Sequence, residues 1–289
     1  MPDVWENTRS RWESVRHAVD GGGDPGAAMG AATLHGRLGL SVNPIAVTGE
    51  AGAGKSVLYD ALTQSIRTGD SDSSRSPDIE KHGTVLRSGN RRTRAAVTVI
   101  PGQLSTQRER ALHDTMRGSA SPQGIMHVVC WGHNRIWQRG AQRDVHDALA
   151  ADGVVDQEAV RDWHLRKEAA DFRLLVDAII DGQLATRLRW LVVVVSKTDL
   201  YWDRLDEARD HYIPGPSRRE SAFAALLRDL ENETSLRLSV LPMASRLIRH
   251  QFLPGLPART SQLDDTQIGA LRAHLGQEIQ TLITQRNGD

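Results

Sequence analysis

Residues 45–56 read IAVTGEAGAGKS, and this stretch decides the predicted fold. Its first four residues suit a short buried strand. The next eight, residues 49–56, match the pattern G-x-x-x-x-G-K-[ST] in full, and apolar residues recur at helical spacing from Val57 onward. A strand, a glycine-rich turn and a helix start together let backbone N–H groups surround a phosphate. The sequence therefore predicts a phosphate-binding loop between a first strand and the helix that follows it.

The residue types of this loop have separate expected roles. Small residues allow successive backbone N–H groups to turn inward, and the helix that begins at Lys55 adds the positive end of its dipole. The Lys55 ammonium is expected to reach the β- and γ-phosphates of a nucleotide, and the Ser56 hydroxyl is expected to bind Mg²⁺. The predicted phosphate-binding positions are Gly49, Gly52, Ala53, Gly54, Lys55, Ser56 and Val57.

Strand and helix patterns alternate along the rest of the chain. Apolar or alternating runs predict strands at 84–87, 92–100, 125–131, 190–195 and 238–241. Helical spacing is found at 156–180, 217–230 and 268–282. A capping-box pair, Ser217 with Glu220, is expected to start the second of these helices. Strands that alternate with helices predict an α/β fold with a doubly wound sheet.

The N-terminal residues follow a different pattern from the main domain. They predict a helical extension, 1–39, ahead of a domain that spans 40–289. Large apolar side chains recur on one face of the first helix: Trp5, Trp12, Val15 and Val19. This helix is expected to end at 21–26 (GGGDPG), and a second short helix is expected at 27–38. The apolar stripe is predicted to pack on the main domain, with a partner-binding helix as the alternative.

The residues that follow the strand at 190–195 (WLVVVV) carry the second strong signal. Ser196-Lys197-Thr198-Asp199 comes directly after this strand, and a carboxylate at the end of a parallel strand lies in the crevice where ligands bind. Asp199 can accept hydrogen bonds from N1 and from the exocyclic amine of guanine. Adenine lacks that pair of donors, so a buried carboxylate would stay unpaired with the wrong base. The Lys197 stem can cover the base and the ribose.

With a complete phosphate loop at 49–56 and SKTD at 196–199, the chain resembles the Ras-like P-loop GTPases of the translation-factor-related class, as a divergent bacterial G protein. The resemblance implies a three-layer α/β domain with a mostly parallel central sheet and one antiparallel strand, and it implies GTP, GDP and Mg²⁺ as ligands. The family's guanine motif is [NT]-K-x-D. Ser196 at its first position keeps a hydroxyl but lacks the amide that normally ties the motif to the phosphate loop. The family's fifth motif matches residues 242–245 (PMAS), where the resemblance implies that the Ala244 N–H meets guanine O6.

The family's third motif, D-x-x-G followed by Gln or His, matches the stretch VIPGQ that begins at Val99. The resemblance implies that the Gly102 N–H meets the γ-phosphate and that Gln103 orients the attacking water. Val99 stands where the family has an aspartate that binds Mg²⁺ through water. The second motif is a threonine that binds Mg²⁺, for which Thr84 is the first choice and Ser76 the next.

The resemblance implies a GTPase that hydrolyses GTP to GDP slowly, with Mg²⁺, and acts as a molecular switch for a protein effector or regulator. Gln103 and Lys55 are the implied catalytic residues. Val99 supports an alternative, a GTP-gated binding module with little or no hydrolysis. A second alternative is an ATP-dependent P-loop protein in which SKTD is a coincidence.

Composition narrows the range of partners and cellular locations that the sequence allows. Among 289 residues, 36 basic side chains balance 36 acidic ones, so the charge does not indicate nucleic acid as a partner. The single cysteine, Cys130, excludes an internal disulfide. No apolar run reaches the length of a membrane span and no signal-peptide pattern begins the chain, so a cytoplasmic protein is expected. The span between the two nucleotide motifs exceeds that of minimal Ras-like domains, and residues 133–170 are expected to form an enlarged, partner-facing segment.

Overall fold

The structure is a computed structural model that describes residues 4–21, 43–63, 80–88, 91–100, 121–136, 139–151, 153, 155–181, 187–215, 220–245 and 249–284. Its central sheet contains β1 (Asn43–Thr48), β2 (Glu80–Ser88), β3 (Arg91–Val99), β4 (Gly124–Val129), β5 (Trp190–Val195) and β6 (Arg237–Pro242). These strands are hydrogen-bonded in the order β2-β3-β1-β4-β5-β6. β2 is antiparallel to β3, and every other neighbouring pair is parallel. The predicted α/β class, with one antiparallel strand in a mostly parallel sheet, is confirmed.

Helices and a small hairpin surround this sheet. The described helices are α1 (Val4–Asp20), α2 (Lys55–Thr63), α3 (Arg139–Ala151), α4 (Gln157–Ile180), α5 (Leu205–Tyr212), α6 (Ala222–Glu233) and α7 (Asp265–Thr284). A separate antiparallel pair, β7 (His250–Gln251) and β8 (Ala258–Arg259), lies between β6 and α7 in the sequence.

Two apolar cores cover the opposite faces of the sheet. Successive side chains of a strand point to opposite faces, so Val193 of β5 lies in one core and Val194 in the other. The first core is closed by α4 and α6, where Phe172 and Phe223 stack with ring centroids 4.3 Å apart. The second core is closed by α2 and α7, with Leu275 among its buried side chains. Burial on both faces explains the continuous apolar sequence of β5 and gives the three layers that were predicted.

α1 is part of the first core. The side chains of its apolar stripe are each at most 3% exposed: Trp5, Trp12, Val15 and Val19. The helix lies against β6 and α7, and Arg11 forms an ion pair with Glu278 of α7 at 2.8 Å. The prediction that this stripe packs on the main domain is confirmed. The second short helix predicted at 27–38 lies outside the described residues.

The predicted start of the helix after residue 217 is wrong. α6 begins after Ser221, whose hydroxyl accepts a hydrogen bond from the Ala224 N–H at 3.0 Å. Glu220, which was expected to complete a capping box with Ser217, lies outside the helix and instead pairs with Arg228 at 2.8 Å. A second serine four residues further along the chain therefore supplies the cap.

The enlarged segment at 133–170 contains α3 and the first part of α4. α3 buries Val145 and Leu149 in a third, small core, which it shares with Val160 of α4 and with Phe252 beside the β7–β8 pair. The hairpin and the enlarged segment thus support each other. No sequence pattern predicted the hairpin.

Candidate nucleotide-binding site

One edge of the sheet gathers most of the predicted site. β1, β3, β4, β5 and β6 run in the same direction, so their carboxyl ends meet at this edge. The glycine-rich loop leaves β1 here, SKTD (196–199) leaves β5, and residues 242–245 leave β6. Ligands of open α/β sheets bind at this kind of edge.

The loop at 49–54 has a backbone that requires glycine at particular positions. Gly49, Gly52 and Gly54 have φ values of 128°, 76° and 104°. A Cβ atom on Gly49 would lie 2.2 Å from the Val128 carbonyl oxygen, and one on Gly52 would lie 2.3 Å from that of Arg135. Since side chains at these two positions would collide with backbone, the loop is pressed closely against β4 and the residues that follow it.

The lysine of the loop folds back over it. Lys55 Nζ donates hydrogen bonds to the carbonyl oxygens of Gly49 (2.8 Å) and Glu50 (2.9 Å), and the side chain is 9% exposed. Ser56 follows in the first turn of α2 and is half-buried. The positive charge of Lys55 and the start of α2 therefore lie at the same loop, an arrangement that attracts an anion.

The two predicted motifs are bonded directly to each other. Lys197, in the left-handed region at φ 58°, donates from Nζ to the Gly52 carbonyl oxygen at 2.7 Å. Ser196 Oγ donates to the Ala53 carbonyl oxygen at 2.5 Å. The tie to the phosphate loop that a serine was expected to lose is therefore made by its hydroxyl. Burial lowers the pKa of Lys197, but its two carbonyl partners hold the ammonium in place.

Asp199 is a fully buried acidic side chain at this edge. It lies in a short 3-10 turn, Thr198–Leu200, and is 0% exposed. Neither of its carboxylate oxygens accepts a well-formed hydrogen bond from the described residues. Burial raises the pKa of Asp199 from 3.8 to about 6, against the opposing effects of Ser261 and of the Lys197 charge. An unpaired buried carboxylate is costly, which marks it as a group that a ligand with two N–H donors can satisfy.

The residues after β6 complete this side of the site. Thr198 donates to the Met243 carbonyl oxygen from both its N–H (3.2 Å) and its hydroxyl (3.1 Å). Ala244 follows directly and is fully buried. The structure thus brings Ala244 beside the SKTD turn.

Thr84, the predicted threonine for Mg²⁺, lies within β2. Thr84 pairs with Ala95 in the middle of the β2–β3 ladder, and Ala95 pairs with Asn43 at the start of β1, the end away from the loop. The strand that carries Thr84 begins four residues earlier, at Glu80, and the role of Thr84 as a metal ligand stays a prediction.

The third motif is described only at its first two residues. Val99 ends β3, pairs with Val47 and is 4% exposed, so an apolar side chain stands where the family has its aspartate. Gly102, Gln103 and Ser76 lie outside the described residues. Glu80 pairs with Val99 in the ladder, which places an acidic residue type at the same edge.

Sequence reasoning missed the loop that follows β4. We refer to residues 130–135 as the β4 loop. Its Asn134 is fully buried and donates from Nδ2 to Glu50 Oε2 (3.0 Å) and to the Ala51 carbonyl oxygen (3.1 Å). A polar residue just beyond a predicted parallel strand was the available signal, but the sequence alone does not show which loop it contacts.

Among the described residues, two further observations concern metal binding and membrane crossing. Within the described ranges, no three His, Cys, Asp or Glu side chains are grouped so that they could hold a metal ion. Of the helices described, none has both the length and the apolarity that a bilayer crossing requires.

Comparisons with known proteins give a weak likeness. No protein-family model matches the chain, and none of the curated proteins does. The solved structures that match include the crystal structure of the bacterial selenocysteine-specific elongation factor EF-Sec, at 17% sequence identity and a TM-score of 0.41. The match covers 86% of this chain but only 30% of that one.

Proposed function

We propose that this chain binds GTP and GDP at the edge described above and hydrolyses GTP slowly, with Mg²⁺, as a molecular switch. The observation that carries the proposal is Asp199. Among the described residues, its buried carboxylate accepts no well-formed hydrogen bond, and its turn is bonded to a complete phosphate loop through Ser196 and Lys197. A carboxylate that two N–H groups can satisfy, one loop away from an anion site, fits a guanine nucleotide.

The phosphates would bind to the loop at 49–57. Its N–H groups and Lys55 would neutralise charge on the β- and γ-phosphates, and the Lys55 ammonium already lies over the loop. The Ser56 hydroxyl fits Mg²⁺ as one oxygen ligand, whereas Val99 offers none. When bound, Mg²⁺ would stabilise the charge that develops on the phosphates. In this proposal Gly102 and Gln103 meet the γ-phosphate and the attacking water.

The base would be selected by the turn at 196–199. Asp199 would accept from N1 and from the exocyclic amine of guanine, while the Ala244 N–H would meet O6. Adenine would leave the carboxylate unpaired in a buried place, which disfavours it. Lys197 would cover the base with its stem while Nζ stays bonded to the phosphate loop.

Calorimetric titration with GTP, GDP, ATP and xanthosine triphosphate, with and without Mg²⁺, tests base selection. Wild type should prefer GTP and GDP. Asp199→Asn keeps one acceptor and gains one donor, which suits the N1–H and O2 of xanthine, so its preference should move to xanthosine triphosphate. Asp147→Asn, at an exposed aspartate of α3, is the matched control. An unchanged GTP preference in Asp199→Asn would refute the role of Asp199, and equal binding of ATP and GTP by wild type would favour the ATP-dependent alternative.

A second candidate function is a GTP-gated binding module with little or no hydrolysis. It is favoured by the buried, apolar Val99 at the end of β3. Single-turnover hydrolysis of GTP separates the two functions. A brisk wild-type rate would remove the binding-module candidate, whereas a negligible rate that rises strongly in Val99→Asp would support it.

A further inference from the structure

The β4 loop lies between the two nucleotide motifs and contacts both. The His133 carbonyl oxygen accepts from Lys197 Nζ at 2.6 Å. The Arg135 N–H reaches the Gly52 carbonyl oxygen at 3.4 Å, and Gly52 has no room for a Cβ atom on that side. Any displacement of the β4 loop would therefore move the phosphate loop and the base motif together.

One buried side chain joins this loop to the phosphate loop. Asn134 is 0% exposed, and both the oxygen and the nitrogen of its side-chain amide have hydrogen-bond partners. Nδ2 donates to Glu50 Oε2 at 3.0 Å and to the Ala51 carbonyl oxygen at 3.1 Å, while Oδ1 accepts from Cys130 Sγ at 3.2 Å. The second and third residues of the phosphate loop are thus fixed by a single amide whose orientation is set from its own loop.

The β4 loop is itself held from behind by α4. The Glu168 carboxylate accepts hydrogen bonds from the N–H groups of Cys130 (3.0 Å) and Gly132 (3.3 Å) and from the Tyr212 hydroxyl. The same hydroxyl accepts from the Trp131 N–H at 2.8 Å. This buried network satisfies three successive N–H groups of the β4 loop, so the backbone that carries Asn134 is held in a fixed position.

We propose that Asn134 is a positioning residue for the phosphate loop. By holding Glu50 and Ala51 it fixes the direction of the loop N–H groups, and it keeps the Glu50 carbonyl oxygen in reach of Lys55. A glycine-rich loop has many accessible conformations, so fixing it in advance lowers the entropy lost when a phosphate binds. The inference rests on the proposed function only in that the ligand carries phosphates; it does not depend on which base is bound.

Asn134→Asp tests this role because it replaces the donor by an oxygen that faces Glu50 Oε2 and the Ala51 carbonyl. The dissociation constants for GTP, GDP and inorganic tripolyphosphate should all rise about 10- to 100-fold. The ratio of GTP to ATP affinity should stay as in wild type, since the base motif is intact. Adding Glu50→Gln should restore most of the loss, because the new amide can donate to the new carboxylate. Asn232→Asp, at an exposed position of α6, is the matched control.

Hydrogen exchange supplies a readout that needs no nucleotide. Asn134→Asp should speed exchange of the amides at 49–54 while those of α6 and α7 stay protected, and the double variant should slow it again. The inference is overturned if exchange in the loop is unchanged, or if the double variant is no better than Asn134→Asp alone. A wild type that shows no preference for guanine would refute the proposed function and would leave the exchange and tripolyphosphate results able to decide the role of Asn134.

Discussion

Replacing Asp199 by asparagine is expected to make the unliganded protein more stable at neutral pH, and under the proposed function it also removes the preference for guanine. The residue is 0% exposed, its carboxylate accepts no well-formed hydrogen bond from the part of the chain that the structure describes, and burial raises its pKa from 3.8 to about 6. The unfolded chain, where this group is hydrated, is taken to keep the ordinary value. A raised pKa means that the folded state binds the proton more tightly than the unfolded state does.

The sign and size of the effect follow from that difference. As the pH rises from about 4 to about 6, the unfolded chain loses this proton before the folded protein does, so the contribution of Asp199 to stability falls. The loss approaches completion about one pH unit above 6, and the two pKa values correspond to about 3 kcal/mol. Asparagine resembles the protonated acid in shape and polarity. The variant should therefore match wild type near pH 4 and exceed it by roughly 2–3 kcal/mol near pH 8.

Urea unfolding of both proteins at pH 4, 5, 6 and 8, without nucleotide, measures this difference. The gap between variant and wild type should open between pH 4 and about 7 and stay constant above that. Asp147→Asn on the surface of α3 should show no such gap, within about 0.5 kcal/mol. Equal stability at every pH, or a variant that is less stable at pH 8, would show that Asp199 is not an unsatisfied buried charge.

Three further substitutions test other contacts. Ser196→Ala removes the buried hydrogen bond to Ala53, so the free energy of unfolding should fall by about 1–3 kcal/mol and GTP affinity measured by calorimetry should fall about tenfold; an unchanged affinity would mean that the tie between the motifs is dispensable for binding. Gly52→Ala places a Cβ atom 2.3 Å from the Arg135 carbonyl oxygen at a φ of 76°, so it should abolish nucleotide binding and cost about 2 kcal/mol or more in urea unfolding. Trp12→Ala should destabilise the protein by about 3–5 kcal/mol, and a loss below about 1 kcal/mol would argue that α1 is not part of the core.

Local patterns in the sequence predicted the fold well where the structure depends on neighbours in the chain. The strand, loop and helix around residues 45–63 form one continuous unit. The three glycines of this loop lie between the strand and the helix, and its lysine begins the helix, as the motif predicts. The buried strand at Trp190–Val195 was visible because burial on both faces needs an unbroken apolar run.

Features that depend on distant pairing were not predictable in the same way. The sequence predicted a strand that starts at Thr84, but the register of β2 against β3 extends the strand back to Glu80. The β7–β8 pair has only two residues in each strand, too few for a pattern to show. Asn134 contacts Glu50 across 84 positions of sequence, a contact that exists only after two strands have paired.

The segment after β8 helps to bury the turn that carries Asp199, and this burial affects both the stability of the protein and the proposed selection of guanine. The Gln262 N–H donates to the Asp199 carbonyl oxygen at 2.8 Å, and the Gln262 side chain binds Asp203 at 2.7 Å, so this segment is fastened across the turn that carries the carboxylate. A carboxylate open to water would be hydrated whichever base stood beside it, and it would discriminate weakly. In the proposed function, a base with two correctly placed N–H donors would supply the hydrogen bonds that the buried Asp199 carboxylate lacks among the described residues. In the proposed function, the instability of the site and its choice of guanine therefore have one physical origin.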